Sequence, residues 1–226
     1  MTEAMHCHGL GFDRPMARGL KRSVLKRIDA TFHPGRIALI TGATGAGKST
    51  LLHLLGGMMR PTVGDVRVGQ EAVSRWVTAH RDMWRRNVGI VFQQPHLFDD
   101  MTVLENVAVP MIPRGVRLAE LRMRALDIIS RLGLSHLTCD RAGALSLGEC
   151  QRVSIARALV CEPSVLLCDE PTAYQDPESI ALVLKALADA RDRQAVVVVT
   201  GHDPRLTQTR FGDDHYMLKR GRLSEL

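Results

Sequence analysis

Three short runs along the chain read as strands: Arg36-Ile37-Ala38-Leu39-Ile40, Val165-Leu166-Leu167-Cys168 and Ala195-Val196-Val197-Val198-Val199. Nearly continuous apolar character over so few residues is the pattern of parallel strands covered on both faces. Leu51-Leu52-His53-Leu54-Leu55 reads instead as a helix, directly after a glycine-rich segment. Leu118, Leu121, Ala125, Ile128, Ile129 and Leu132 recur at helical spacing among Arg117, Arg122, Arg124 and Arg131, which predicts an amphipathic helix. Leu25, Ile28, Ala30 and Phe32 mark a segment turned toward a core, and Trp76 to Trp84 reads as a packed helix. The class predicted is α/β.

Composition narrows this. At 226 residues, 45% of them hydrophobic, the chain suffices for one domain with a sizeable core. No apolar run approaches a membrane span, and Met1-Thr2-Glu3-Ala4-Met5 is unlike a signal peptide. The chain is therefore expected to be neither a channel nor a secreted factor. The net charge of +6 and pI near 9.4 raise nucleic acid as a partner, but the arginines are dispersed along a helix face. No nucleic-acid partner is expected. Cys7, Cys139, Cys150, Cys161 and Cys168 lack metal-ligand spacing and read as reduced packing thiols. His6-Cys7-His8 has no second cluster and reads as a polar segment rather than a metal site.

The chemistry begins at Gly42-Ala43-Thr44-Gly45-Ala46-Gly47-Lys48-Ser49, a fit to G-x-x-x-x-G-K-[ST] between a strand-like and a helix-like run. Glycines let the backbone curl so that successive N–H groups face phosphate oxygens, and the helix N-terminus adds positive potential. Lys48 is expected to reach the β- and γ-phosphates of ATP and Ser49 to hold Mg²⁺, with Thr50 closing the set. Downstream, Asp169 and Glu170 end an apolar strand at the edge where α/β sheets bind ligands. Asp169 is placed for the Mg²⁺ shell and Glu170 to polarise an attacking water. Alone, such a pair is also an ordinary acidic strand-to-loop junction; the upstream loop favours the catalytic reading.

Leu145-Ser146-Leu147-Gly148-Glu149 and the residues after it, to Leu159, resemble the signature of ATP-binding-cassette (ABC) ATPases, where L-S-G-G-[QE] is usual. The resemblance covers almost the whole chain. Val91-Phe92-Gln93-Gln94-Pro95 is similar to the Q-loop, with Gln93 as a Mg²⁺ and water ligand. Gln175-Asp176 is similar to the D-loop, and His202 to the switch histidine at the γ-phosphate. Thr102 to Ala108, the Met111-to-Val116 insertion and Asp169 to Ala173 are similar to the lipoprotein-releasing, macrolide-exporting and cell-division (FtsE-like) branch.

The resemblance implies an ABC ATPase fold. Residues 1–35 would form an antiparallel β region, 36–97 and 146–226 a RecA-like parallel-sheet core, and 98–145 an inserted helical subdomain. It implies two cassettes closing over two ATP molecules, with Ser146, Gly148, Glu149 and Asp176 serving the partner's nucleotide. Glu170, His202, Gln93 and Lys48 would carry catalysis, and Ser49, Gln93 and Asp169 the metal. An aromatic ring near the N-terminus stacks on adenine in the family, which nominates Phe12. The partners implied are an integral membrane permease and a second cassette, a homodimer ahead of a heterodimer. The place implied is the cytoplasmic face of the inner membrane, held peripherally through the permease. Export or extraction is the leading expectation; a regulatory ATPase on a non-transporting membrane partner is the alternative.

The chain departs from the pattern at Leu147, where Gly is usual. Gly is favoured where the backbone approaches a phosphate or takes φ above zero. Leu147 is therefore expected to weaken what this chain offers its partner's ATP. Gln175 and Gly201 also differ from the usual residues of the family.

Overall fold

The computed structural model describes residues 2–75, 78–201, 206 and 211–226. Two sheets organise them. β1 (Met5–Pro15), β2 (Lys21–Phe32) and β4 (Val63–Val68) form an antiparallel sheet in the order β2-β1-β4. The larger sheet runs β5-β6-β7-β3-β8-β9. It is built from β3 (Arg36–Thr41), β5 (Val88–Val91), β6 (Val165–Asp169), β7 (Val196–Thr200), β8 (Asp214–Lys219) and β9 (Arg222–Glu225). Its first five members are parallel, and β9 returns antiparallel along β8.

The apolar runs exist because both faces of this sheet are covered. Ile37, Leu39, Leu166, Cys168, Val197 and Val199 face one core, shared with helices. Ala38, Ile40, Val165, Leu167, Val196 and Val198 face the other, shared with the antiparallel sheet. Alternate residues of one strand thus enter different cores, and each buried Val, Leu or Ile stabilises by about 1.5–3 kcal/mol. A single polar residue in such a strand would be buried whichever way it pointed.

Helices α1 (Lys48–Leu55), α2 (Thr78–Arg86), α3 (Val103–Ala108), α4 (Leu118–Arg131), α5 (Leu147–Leu159) and α6 (Pro177–Asp192) complete the described architecture. Asn106 of α3 is fully buried, where its side chain bonds the backbone of Phe98, Met101 and Thr102 and closes the loop after β5. α4 buries Ala125, Ile128 and Ile129, as its periodicity predicts. Its arginines are partly engaged in acidic contacts: Arg124 pairs with Glu120 at 2.6 Å, and Arg131 with Asp189 of α6. Phe32 is 1% exposed in the core between the sheets, and Trp84 of α2 is buried, whereas Trp76 and Val77 lie outside the described residues.

The expected division of the chain needs one correction. β4, placed by sequence in the RecA-like core, pairs with β1 from Met5↔Val68 to Gly11↔Val63 and belongs to the antiparallel sheet. Val66 is the reason: it is fully buried beside Met5 and Cys7 in the core that this sheet covers.

Candidate functional site

β5, β6, β7 and β3 are adjacent and parallel, so their C-terminal ends open on one edge. The chain leaves β3 into α1, with β7 on one side of β3 and β8 on the other, which makes a crevice for ligands. The residues after Thr41 form the glycine loop. Gly42 has φ +154, and a Cβ there would stand 2.3 Å from the carbonyl oxygen of Leu218, so the loop has room only for glycine. α1 starts directly behind this loop, with its first N–H groups unsatisfied by the helix itself.

A cavity of about 550 Å³ opens here. Thr44, Gly45, Ala46, Gly47, Lys48, Ser49 and Thr50 line it together with Gln93, Asp169 and Glu170. Gly42 and Ala43 form the start of the loop, where the Gly42 carbonyl accepts from Lys48 Nζ at 2.8 Å and the Ala43 carbonyl from the Ala46 N–H. Lys48 Nζ also stands 3.7 Å from Glu170 Oε1, both side chains being largely buried. Asp169 is oriented by Thr200, whose hydroxyl donates to its Oδ1 at 2.5 Å. Glu170 has φ +52, a conformation non-glycine residues adopt at a cost of order 1–3 kcal/mol. Its N–H donates to the Thr200 carbonyl at 3.0 Å, which holds the strained residue at the strand end.

The donor set suits Mg²⁺. Ser49, Gln93 and Asp169 offer a hydroxyl, an amide carbonyl and one carboxylate, all hard oxygens of residues lining the same cavity. Among the described residues no group of three or more His, Cys, Asp or Glu could hold a metal unaided.

The segment carrying Gln93 is tied down from α5. Gln151, fully buried, donates from Nε2 to the Phe92 carbonyl at 3.2 Å, and Arg157 donates to the His96 carbonyl at 2.6 Å. The Phe92 ring meets His53 of α1 and His96 edge-on at 5.7 and 5.5 Å. Burial holds the His53 imidazole below its usual pKa, with the Asp169 charge opposing the shift. The residues flanking Gln93 thus contact both α1 and α5.

The signature residues lie away from the cavity. Ser146 is the N-cap of α5: its hydroxyl accepts from the Glu149 N–H at 3.4 Å, and Glu149 accepts from the Ser146 N–H at 2.8 Å. The Ser146 bonds pull the Glu149 carboxyl below the usual range. Gly148 is packed so closely that a Cβ would stand 2.5 Å from the Tyr174 carbonyl oxygen. Asp176 caps α6 through Ser179, at 2.9 Å to its N–H and 2.6 Å to its hydroxyl. None of these four residues lines the cavity held by the glycine loop. His202 lies outside the described residues.

Leu147 is the first residue of α5 and is absent from the left-handed positions. The backbone here requires no glycine; Gly148, not Leu147, is the sterically closed position. What Leu147 brings is a side chain 59% exposed beside the Ser146 cap. Leu147→Gly is expected to raise the steady-state ATPase rate several-fold while lowering stability by about 0.5–1 kcal/mol through helix propensity. Paired ATPase and thermal-melt measurements check both; an unchanged rate means that the Leu is tolerated.

Phe12 is not among the residues lining the cavity. It stands opposite Leu25 in the β1–β2 ladder and packs on the core between the sheets. Residues that the sequence reading did not nominate also line the cavity: Arg14, Arg22, Ser23, Val24, Lys26, Arg220 and Gly221. They come from β1, β2 and the β8–β9 turn, and no local pattern joins them.

A glycine loop opening a helix at the C-terminal edge of a parallel sheet, with two carboxylates beside it, defines a P-loop nucleoside triphosphatase. Residues 25–173 match the ABC transporter family. A lipoprotein-releasing system ATP-binding protein LolD of Psychrobacter arcticus is 40% identical over 201 residues, covering 88% of either chain. A macrolide export ATP-binding/permease protein MacB of Paracoccus denitrificans is 42% identical over 199 residues. That match spans 88% of this chain but only 30% of the longer relative. A dimeric structure of a bacterial ABC transporter cassette superposes with a TM-score of 0.91 at 29% identity, over 98% of each chain. A dimeric post-hydrolysis state of that cassette, bound to ADP and Pi, gives 0.91 at 30% identity over 98% of this chain and 97% of the other. The chain belongs to the ABC transporter family, as an ATP-binding subunit with ATPase activity.

Proposed function

We propose that this chain works as one half of a symmetric ATPase pair that drives a separate membrane permease in export or extraction. One observation carries the reading. Lys48, Ser49, Gln93, Asp169 and Glu170 share a cavity, while Ser146, Gly148 and Glu149 lie outside it at the start of α5, where Ser146 is exposed and Gly148 buried. A second copy supplies its Ser146 surface to the nucleotide held by the first, and the reverse. The dimeric cassettes of the same fold support this, as does the near-full-length likeness to a lipoprotein-releasing ATP-binding protein.

In the cycle, Lys48 and the loop N–H groups hold the ATP phosphates; Ser49, Gln93 and Asp169 would hold Mg²⁺, which would supply neutralisation of the charge developing on the phosphates. Glu170 orients water for in-line attack on the γ-phosphorus, and the resemblance gives His202, outside the described residues, the role of the switch histidine. Lys48 leaves its contact with the Gly42 carbonyl for phosphate, which frees Glu170 to turn toward water. Cleavage yields ADP and phosphate.

Gln93 connects this chemistry to the permease. A cleft of about 450 Å³ lies along the edge strand β5, with Ile90 and Phe92 on one wall and Pro110 and Pro113 on the other. Occupation of that cleft by a loop of the permease lets a shift at Gln93 move the membrane partner. Among the described residues no helix is long and apolar enough to cross a membrane. The chain sits at the cytoplasmic face of the membrane, held there through the permease.

The test is retrieval from native membranes with tagged Glu170→Gln, ATP and Mg²⁺, followed by mass spectrometry. A multi-span permease with no cassette other than this chain is the expected recovery. A second, different cassette would replace the symmetric pair by an asymmetric one. Soluble proteins alone would remove the transport reading.

A further inference from the structure

The β1–β2 hairpin runs on past the core as an arm. Pro15, Met16, Ala17, Gly19, Leu20 and Lys21 at its end are all exposed. At the apex the Met16 N–H donates to the Leu20 carbonyl at 2.8 Å and the Leu20 N–H to the Ala17 carbonyl at 3.5 Å, with Gly19 at φ +72 turning the chain. The turn sets Met16 and Leu20, 52% and 65% exposed, at its two ends. Single exposed apolar residues are ordinary on a protein surface. Two joined by one backbone bond at the tip of a charged hairpin are a feature that the core does not explain.

The arm carries charge of one sign. No acidic residue stands between Asp13 and Asp29, whereas Arg14, Arg18, Lys21, Arg22, Lys26 and Arg27 do. Arg14 and Arg22 are directly opposed in the β1–β2 ladder, where like charges repel. The Lys26 N–H donates to the Gly221 carbonyl at 2.7 Å, which lays the β8–β9 turn beside β2. That turn adds Lys219 and Arg222, a second opposed pair of cations. Among the described residues Lys21, Lys219 and Arg222 are exposed and in no ion pair. Cations collected in this way repel one another, and an anionic surface outside the chain offsets the repulsion.

The order of residues along the arm selects that surface. A single-stranded nucleic-acid platform interleaves its cations with aromatic rings that stack on bases, and residues 14–28 contain no aromatic ring. An acidic protein surface would pair with the cations but leave Met16 and Leu20 facing charge. Here the apolar pair comes first, at the apex. Lys21 follows, opposite Pro15, and Arg14 and Arg22 stand one step behind. Apolar tip and cationic collar match the layers of a bilayer surface, where acyl chains lie beneath anionic headgroups.

We propose that this arm docks on anionic lipid. Met16 and Leu20 enter the boundary between headgroups and acyl chains, and Lys21 with the cations behind it meets the headgroup phosphates. The contact is weak and reversible, since two side chains insert far less apolar surface than an amphipathic helix does. It is distinct from the cleft along β5: in the strand order β5 lies at one end of the large sheet, and β8 and β9, beside the arm, lie at the other. The inference stands apart from the permease reading, and bilayers that contain no protein test it.

The experiment is co-sedimentation of the full chain with vesicles of phosphatidylcholine alone, or of phosphatidylcholine and phosphatidylglycerol in equal parts. Binding is expected on the anionic vesicles only, and high salt should weaken it. Met16→Gln, Leu20→Gln and Lys21→Gln are each expected to weaken it about fivefold. Leu20→Trp, whose ring suits the interface, should keep it. Met16, Leu20 and Lys21 are exposed and do not line the nucleotide cavity, so MgATP binding and the melting temperature should hold in all four variants. Arg117→Gln removes the same charge from the exposed start of α4 and should leave vesicle binding unchanged. Equal losses in Arg117→Gln and Lys21→Gln would overturn the arm, since net charge would then be the whole cause. So would binding to neither vesicle, equal binding to both, or full binding by Met16→Gln combined with Leu20→Gln. Pelleting without vesicles that the same variants abolish would give the arm to a second copy instead.

Discussion

Glu170→Gln is expected to lower turnover by about 10²–10⁴-fold and to leave MgATP bound. The substitution keeps shape and removes only the charge and basicity of one terminal atom. Packing therefore changes little around a residue that is 5% exposed and set at φ +52 by the end of β6. Its N–H bond to Thr200 belongs to the backbone and survives. The Oε1 contact with Lys48 Nζ, long at 3.7 Å, survives as a dipole rather than a charge. Lys48 is then held less tightly within the empty cavity, which favours phosphate as its partner. A carboxamide does not accept the proton that water must lose, so the bound state persists. Single-turnover phosphate release against equilibrium nucleotide binding separates the two effects, and sedimentation detects the ATP-held pair. Hydrolysis at the unaltered rate would remove Glu170 from the reaction.

The residues of this phosphate end were legible because each belongs to a short local pattern. A loop must start where β3 stops, and a carboxylate pair must end a strand that is apolar on both faces. β3, β6 and β7 were readable for the same reason: two cores, rather than one, leave no polar alternation to be confused by. What escaped reading depends on register between distant segments. Val63–Val68 joins β1 only through Met5↔Val68 and its neighbours, a pairing no local spacing announces. Phe12 is the base platform that the resemblance implies; it stands opposite Leu25, packs partly on the core between the sheets and is not among the residues lining the cavity. Arg14, Arg22 and Arg220 line the cavity without belonging to any local pattern, since they come from β1, β2 and the β8–β9 turn. Leu147 shows the opposite case. Its oddity was visible in sequence, but only the geometry separates its permitted backbone from the closed position at Gly148.

Lys48→Ala is expected to weaken MgATP by on the order of 10²-fold or more, with turnover falling beyond detection. The ammonium is 9% exposed at the first residue of α1, bonded to the Gly42 carbonyl at 2.8 Å and close to Glu170. It thus ties the loop to the Glu170 carboxylate before nucleotide arrives. Removing one member of a buried charged pair costs about 2–5 kcal/mol, part of it from the charge left behind, and each 1.4 kcal/mol is tenfold in affinity. Two consequences separate this variant from Glu170→Gln. Binding fails together with turnover, and the Glu170 carboxylate loses its nearby cation, so the unliganded protein also melts earlier. Combining the changes is the sharper measurement. Lys48→Ala with Glu170→Gln should melt above Lys48→Ala alone, because the buried negative charge has gone too, while nucleotide affinity stays low. Stability regained without affinity assigns Lys48 two distinct tasks: balancing Glu170 in the empty cavity, and holding phosphate in the filled one. Equal melting of the single and double variants would mean that Glu170 does not depend on Lys48 for its charge balance.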